Sequence, residues 1–414
     1  MTWFFYAAIL ALPGLLVASQ PHIPEQHASA DKPTIILPAP PPPPEKQIAT
    51  TMVGDKEAVV VNTSLPLTGE VSILGKQVLD GMSLFFNKLN KEKKRGLMFH
   101  LNVLDDAFET SKTKSNVTKL AANSPLFLSL LGTRSVLAVS QELAQGDIAL
   151  FFPLEGADTT QSAQLNNIVY FRPNYEQEIE ALVSYAVNQL NKKKIGLFYE
   201  ASDSGEAALE ATKRVLEKHN LSLHAQAWYP AQSLNVGRAA DDLAAKAPNV
   251  IICVSKSRPT YNFIRQFVNK GLHKTIFMGL SGLESIQPTL TKSRGIYLIT
   301  SSVVPDPVNS SLQIVTEYRN DLKTFMGNKA PSAYSLEGYI NAALLYELFK
   351  ITPRPFTVQG LMRTAERLKH VRFKGLELRF NPTTRALAKQ VYITNPAPKK
   401  TAAKAAEHKK ETAA

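Results

Sequence analysis

The sequence predicts an α/β fold in which two Rossmann-like lobes are each built on a parallel sheet. Two observations carry this prediction. The chain has 414 residues, which is too long for one ordinary compact core and suits two domains with tails. From Ala58 to Asn395, short apolar runs alternate with segments of helical periodicity, and this alternation is typical of right-handed βαβ units on parallel sheets.

The first half of the pattern indicates one lobe. The apolar run Ala58–Asn62 predicts its first strand, and the small residues, Pro66 and Gly69 that follow end the pairing and open a loop. A helix is expected from about Gln77. The further elements predicted for this half are strands at Phe99–Leu104, Leu126–Leu131 and Ile148–Phe152, and helices at Ser111–Ala122 and from about Ser135.

The pattern restarts after a strand at Val169–Arg172, which indicates a second sheet. Apolar residues between Ile179 and Leu190 recur at helical spacing and predict a helix at Glu176–Leu190. The second sheet then takes its strands from Ile195–Tyr199, Leu221–Trp228, Val250–Val254 and Thr275–Gly279, with helices at Gly205–His219, Gly237–Ala247 and Thr260–Lys270.

Both ends of the chain differ from the body. Residues 1–19 are apolar from Trp3 to Val17 and end in the small residues Ala18 and Ser19, as in a secretory signal peptide. No Lys or Arg precedes the apolar run, so an uncleaved N-terminal anchor that tethers the protein to the inner membrane stays open. Residues 20–56 read as a Pro-rich linker, and residues 396–414 as a disordered Lys/Ala-rich tail.

Charge and motifs argue against nucleic-acid binding and against catalysis. The formal net charge of +12 is dispersed outside the tail and is not interleaved with aromatic residues, as a nucleic-acid groove requires. The stretch from Gly69 to Lys76 fails the P-loop spacing, and the eight His residues are scattered without metal-ligand spacing. The single cysteine, Cys253, lies inside an apolar run and reads as buried rather than nucleophilic. The sequence therefore predicts a protein that is not an enzyme and has no cofactor or catalytic metal.

The loops at the carboxyl ends of the predicted strands form the expected ligand crevice, because open parallel sheets bind ligands at that edge. These loops are rich in Ser, Thr and Gly, which suit a polar or anionic ligand group. For single residues such as Ser135 and Ser204, helix capping is the favoured interpretation over ligand contact. The crevice loops are Ser64–Ser72, Gly132–Ser135, Pro153–Ala157, Glu200–Ser204, Ser255–Ser257 and Leu280–Gly282.

Six local motifs, in this order, resemble type I periplasmic binding proteins of ABC importers, the branched-chain amino-acid-binding class. They are "LPLTGEVSILGKQVLDGM" (Leu65–Met82), "LDDAFET" (Leu104–Thr110), "LGTRS" (Leu131–Ser135), "YFRPNYEQE" (Tyr170–Glu178), "VVPDP" (Val303–Pro307) and "PSAYSLEGYINA" (Pro331–Ala342). The resemblance implies three inter-lobe crossings, near Arg172, Ser302 and Leu376. Lobe 1 would then comprise residues 57–172 and 303–376, and lobe 2 residues 173–302 and 377–395.

The resemblance also implies the ligand-contacting positions. Family members hold a ligand carboxylate on first-lobe loops that match Gly132–Ser135 and Pro153–Gly156. The positions that cradle an ammonium group fall here at Ser204, Ser257 and Ser281, and an aromatic position falls at Leu74, so that cage is lost. A buried Glu155 beside a ligand carboxylate would be unfavourable. The expected ligand-binding residues are Ser72, Leu74, Thr133, Ser135, Glu155, Gly156, Tyr175, Asp203, Ser204, Ser257 and Ser281.

The sequence thus favours a periplasmic receptor that captures a small polar solute between its lobes, closes by hinge bending and passes the solute to an inner-membrane ABC permease. Its rival is a degenerate or anchored module of the same fold that docks on or regulates an envelope protein partner without transport. The lost ammonium cage, Glu155, the Pro-rich spacer and the basic tail motivate the rival.

Overall fold

The computed structural model of the protein describes residues 45–54, 56–92, 97–157, 160–161 and 165–394. The predicted signal peptide, the linker before Glu45 and the basic tail lie outside these residues. Within them, no helix is both long enough and apolar enough to span a membrane.

The first lobe is a parallel sheet covered on both faces. Strand β2 pairs in parallel with β3 and β4, the order continues through β5 to β6, and β1 adds an antiparallel hairpin arm to the start of β2. Leu150 and Phe151, adjacent in β5, face two different apolar clusters, as expected when both sides of a sheet are buried. The elements are β1 (Thr50–Val53), β2 (Lys56–Leu65), α1 (Ser72–Lys91), β3 (Met98–Asp105), α2 (Thr110–Ala121), β4 (Leu126–Leu128), α3 (Thr133–Leu137), α4 (Ser140–Ala144), β5 (Ala149–Phe151) and β6 (Ile168–Val169).

Part of the predicted linker belongs to this lobe instead. Ile48 is buried in the lobe's core, and the carbonyl of Lys46 accepts the Val358 N–H at 2.9 Å. The short, mostly exposed β1 has little apolar patterning of its own, so its sequence reads as a continuation of the linker. Hairpin pairing with β2 is what orders it.

The second lobe follows the first passage between lobes at residues 170–174. Its sheet has the order β14-β11-β10-β9-β7-β8, parallel except for β14. Leu197 and Phe198 in β7 face opposite apolar clusters, so helices cover both faces here as well. The elements in order are α5 (Tyr175–Ser184), continued by a π-helical turn (Tyr185–Gln189), β7 (Ile195–Ala201), α6 (Asp203–Lys218), β8 (Ala225–Pro230), α7 (Gly237–Lys246), β9 (Val250–Val254), α8 (Ser257–Val268), β10 (Ile276–Gly279), a 3₁₀ helix (Ser281–Ile286), α9 (Gln287–Arg294) and β11 (Leu298–Ser302).

After β11 the chain returns to the first lobe. It forms α10 (Gln313–Met326), α11 (Ala333–Ile351), α12 (Val358–Glu366) and the hairpin β12 (Val371–Phe373) and β13 (Leu376–Leu378). Helix α11 packs along α1 at very short range. A Cβ added at Gly81 would lie 1.9 Å from the Ser335 carbonyl oxygen, and one at Gly338 would lie 2.3 Å from that of Val78. The two glycines therefore set the spacing of the helices.

The third passage lies later in the chain than its expected place near Leu376. Leu378 and Leu387 belong to the core of the first lobe. The Leu387 N–H donates to the Tyr170 carbonyl at 3.0 Å, and the Ala388 N–H to that of Phe171 at 2.9 Å. The assignment of residues 377–388 to lobe 2 is thus corrected, and only β14 (Tyr392–Thr394) joins the second sheet. The few apolar residues of this segment gave no sequence basis for choosing a lobe.

Candidate functional site

The candidate site is the crevice where the strand ends of both sheets meet around the first passage. On the first-lobe side, Ser72 and Leu74 lie half-buried in the first turn of α1, and Leu74 packs on the lobe's core. Ser135 is 2% exposed and lies within α3, whose N-cap is Gly132. The capping interpretation of Ser135 is therefore wrong.

Glu155 carries a buried carboxylate on the loop after β5, with only 1% of the residue exposed. Its Oε1 accepts the Thr160 hydroxyl at 2.5 Å, and its Oε2 accepts the Ala157 N–H at 2.9 Å and the Thr133 hydroxyl at 3.3 Å. Burial raises the pKa of Glu155 in spite of these donors and of the Tyr170 hydroxyl beside it. The Glu155 side chain is therefore buried inside the protein. It accepts a hydrogen bond from Thr133, which is also a predicted ligand-binding residue.

Gly156 joins this loop to the start of the second lobe. Its carbonyl accepts the Tyr175 N–H at 2.7 Å, and a Cβ added at Gly156 would lie 2.9 Å from the Tyr175 ring. Asn174 fixes the start of α5 through a capping box with Gln177. Burial, followed by the charge of Glu155, raises the pKa of Tyr175 to about 12. The structure thus brings four predicted residues together: Thr133, Glu155, Gly156 and Tyr175.

The second-lobe residues are less concentrated. Asp203 is exposed at the start of α6. The N-cap of that helix is Ser202, which accepts the Gly205 N–H at 3.3 Å, so the capping interpretation of Ser204 is also wrong. Ser257 lies 3.3 Å, between hydroxyl oxygens, from Ser285. In the described part of the chain, none of these three side chains forms a hydrogen bond or an ion pair with Glu155.

Ser281 leads to a residue that the sequence analysis missed. Its N–H and hydroxyl donate to the Glu178 carboxylate at 2.8 and 3.2 Å, and Ser301 donates to the same carboxylate at 2.5 Å. Glu178 has no exposed surface, and burial raises its pKa although the Arg172 charge opposes that rise. The available clue was its spacing, since Glu178 lies four residues before Leu182 and hence on the apolar face of the predicted helix.

A second missed feature spans the passage itself. Arg172 donates from Nε and Nη2 to the two carboxylate oxygens of Glu337 at 2.9 and 2.7 Å, and both side chains are buried. Burial opposes the positive charge of Arg172, but the Glu337 carboxylate outweighs it and raises the Arg172 pKa. Arg172 also lies in the field of Glu178. The Arg172 guanidinium therefore interacts with a carboxylate of each lobe, Glu337 in the first and Glu178 in the second.

One ion pair and one close approach link the two lobes away from the passages. Arg258 at the start of α8 approaches Glu70 of the first loop at 3.4 Å, with both side chains largely exposed. A Cβ added at Gly282 would lie 3.8 Å from the Tyr334 hydroxyl. The lobes are thus in contact on the open side as well as at the passages.

The chemistry of these groups suits binding. Cys253 is fully buried in β9, and burial raises its thiol pKa, which disfavours the nucleophilic thiolate. Across the described part of the chain, no three His, Cys, Asp or Glu side chains are grouped so that they could hold a metal ion. Hydroxyl, amide and carboxylate groups converge on the crevice instead.

Comparison with known proteins agrees with this geometry. A family described as periplasmic binding protein matches residues 60–401. A Leu/Ile/Val-binding protein homolog 7 from Brucella abortus (strain 2308) is 22% identical over 300 residues, which cover 68% of this chain and 74% of that protein.

Solved structures share the fold. A substrate-binding periplasmic protein from Ralstonia solanacearum aligns with a TM-score of 0.70 and 25% identity, over 81% of this chain and 96% of that one. An ABC transporter solute-binding protein from R. palustris, in complex with 4-hydroxybenzoate, aligns with a TM-score of 0.71 and 16% identity, over 81% and 92% of the two chains.

Proposed function

The chain belongs to the periplasmic binding protein family, as the motif resemblance predicted, and from that membership we propose that it captures a small polar solute for an ABC importer. The family places the protein outside the cytoplasmic membrane, and the periplasm is the proposed location. An inner-membrane ABC permease is the proposed partner. The N-terminal segment is proposed to be a cleaved signal peptide, and a retained segment that tethers the protein to the membrane is the alternative.

The observation that carries the proposal is the convergence of buried polar groups from both lobes at the first passage. Glu155 and Thr133 come from first-lobe loops, whereas Tyr175, Glu178 and Ser281 belong to the second lobe. Buried polar groups are costly unless they are bonded, so a fold that places them between two lobes supports a polar binding crevice. The expected ligand-binding residues, from Ser72 to Ser281, remain a proposal, to which Glu178 and Arg172 are added.

The solute class is proposed from the same groups. The Brucella relatives are named as Leu/Ile/Val-binding homologs, but the aromatic and acidic cage expected for an amino-acid ammonium is replaced here by Leu74, Ser204, Ser257 and Ser281. The complex of the R. palustris neighbour with 4-hydroxybenzoate supports screening beyond amino acids. We therefore favour a small polar solute other than an ordinary amino acid.

A thermal-shift screen of metabolites tests the proposal. A solute that binds the folded state at a hundredfold excess over its Kd adds about 2.7 kcal/mol of stability. The stabilisation should be lost in Tyr175→Ala and kept in Asn87→Ala, since Asn87 lies on the exposed face of α1. A library in which no solute raises the unfolding midpoint of the native chain would contradict solute capture.

A docking module is the second candidate, and one observation favours it. The charged groups of the crevice are already paired inside the chain, and Glu70 and Arg258 meet across its mouth. Two lobes joined in this way can stay closed without a solute and present one fixed surface to an envelope protein. Cross-linking in envelope extracts separates the two candidates: a specific partner retained by a solute-insensitive chain supports docking, and a permease complex that requires solute supports transport.

A further inference from the structure

The loop after β5 holds a carboxyl group of its own at the crevice. The Glu155 carboxylate lies at the crevice with 1% of its residue exposed. It receives the Thr160 hydroxyl at 2.5 Å, the Ala157 N–H at 2.9 Å and the Thr133 hydroxyl at 3.3 Å. These donors come from the first residue of α3 and from the loop after β5, which follow the neighbouring strands β4 and β5. They converge on one carboxylate from different directions, as the donors of an anion-binding site do.

The hydrogen bonds to that carboxyl group come from neutral donors. Arg172 contributes through its field, but its own hydrogen bonds go to Glu337. A second carboxylate brought to the same donors would compete for them and would also face a like charge in a buried site, which is strongly unfavourable. The donor set therefore has room for one anion.

We propose that Glu155 is a tethered anion that fills the first-lobe anion site of the crevice and so excludes carboxylate-bearing solutes from it. The inference rests on the proposed function only for the location of the crevice. Because the carboxylate is attached two residues before Ala157, it competes intramolecularly, and a free carboxylate has to exceed its effective concentration to displace it. Glu155 thereby determines which solutes bind in the crevice.

A variant that lacks the Glu155 carboxyl group tests the proposal. Glu155→Ala deletes the CγH2–COO⁻ group, which corresponds to acetate, and leaves Thr133, Thr160 and the Ala157 N–H free to bind acetate in its place. If acetate binds the variant with a Kd tenfold below a concentration of about 100 mM, the unfolding midpoint of Glu155→Ala rises by roughly 2 °C. Native protein should show no such rise, and neither acetamide nor chloride at equal ionic strength should reproduce it.

Glu155→Gln is the matched control, because its amide keeps the volume of the side chain. Its oxygen can still accept the Ala157 N–H and the Thr133 hydroxyl, while its NH2 group donates to the Thr160 hydroxyl oxygen. We expect no acetate response from it. A response equal to that of Glu155→Ala would overturn the proposal, since charge repulsion alone would then exclude carboxylates. A folded Glu155→Ala with no acetate response would overturn it too. If that variant does not fold, Glu155→Ser replaces it. Its hydroxyl can accept the Ala157 N–H when no acetate is bound, so a smaller acetate response is expected, and no response would overturn the proposal.

The donors themselves provide the last check. Adding Thr133→Ala and Thr160→Val to Glu155→Ala should abolish the acetate response, and a response that survives would place the acetate elsewhere and overturn the assignment. Failure of this experiment differs from failure of the proposed function, because the acetate response needs no natural solute and the metabolite screen uses the native chain.

Discussion

Arg172 and Glu337 form a buried, two-bonded ion pair that fastens the first inter-lobe passage to helix α11, with donor–acceptor distances of 2.9 and 2.7 Å. Loss of one partner from such a pair leaves an uncompensated buried charge, which costs about 3–5 kcal/mol. Glu337→Ala should therefore lower the free energy of unfolding by about that amount in urea titrations. Glu347→Ala, which removes a solvent-accessible partner of Lys350 on the same helix, should change it by less than about 1 kcal/mol. Equal losses in the two variants would refute the special role of the pair.

The contact between α1 and α11 predicts a strong penalty at Gly81. A methyl group there would meet the Ser335 carbonyl oxygen at 1.9 Å, so the helices have to separate. Gly81→Ala should lower the free energy of unfolding by about 1–3 kcal/mol or more, although alanine is the better helix former. Asn87→Ala on the exposed side of α1 is the control. A Gly81→Ala chain as stable as that control would show that the helices are farther apart than described.

The hydrogen bonds of Asp105 predict that it stabilises the first loop at neutral pH and that this stabilisation is lost in acid. Burial would raise its pKa, but the Thr68 hydroxyl and the N–H groups of Ala107, Leu67 and Thr68 outweigh burial and lower it to about 2. A carboxyl with a lowered folded-state pKa contributes stability above its unfolded pKa of about 4 and loses it as the pH falls toward 2. Asp105→Asn should cost about 1–2 kcal/mol at neutral pH.

The difference between native and Asp105→Asn chains in the free energy of unfolding should vanish near pH 2, if measured by denaturant titration across this range. Glu217→Gln, at an exposed position of α6, controls for the loss of one surface charge. A difference that is constant from neutral to acidic pH would contradict the linkage.

Cys253 predicts an unreactive thiol in the native chain. It is fully buried in β9, and burial raises its pKa, so both access and the thiolate form are suppressed. A thiol reagent should label the protein only when the second lobe opens or unfolds, and the labelling rate should follow denaturant concentration. Rapid labelling in native buffer would mean that the second sheet is more open than described.

Local pattern was sufficient for the elements whose apolar residues are contiguous. The strand Val250–Val254 has the predicted bounds, and β7 extends the predicted Ile195–Tyr199 by two residues. The strand predicted at Leu221–Trp228 begins only at Ala225, since Leu221 and Leu223 pack on the core without pairing.

The site was less predictable because its contacts join distant residues. The Glu178 contact with Ser281 spans 103 positions, and the Arg172 contact with Glu337 spans 165. No local periodicity encodes which buried carboxylate meets which donor. Glu155 was identifiable because it lies inside a short crevice loop, whereas Glu178 lies on a helix whose neighbouring acidic residues are more exposed.

The late return of β14 also means that two distant parts of the chain are held in different lobes. Glu45 is held in the first lobe by Thr357 and Arg363, whereas Thr394 lies on an edge of the second sheet. A hinge motion that opens the crevice therefore changes the distance between Glu45 and Thr394, whereas two residues of one lobe keep their separation.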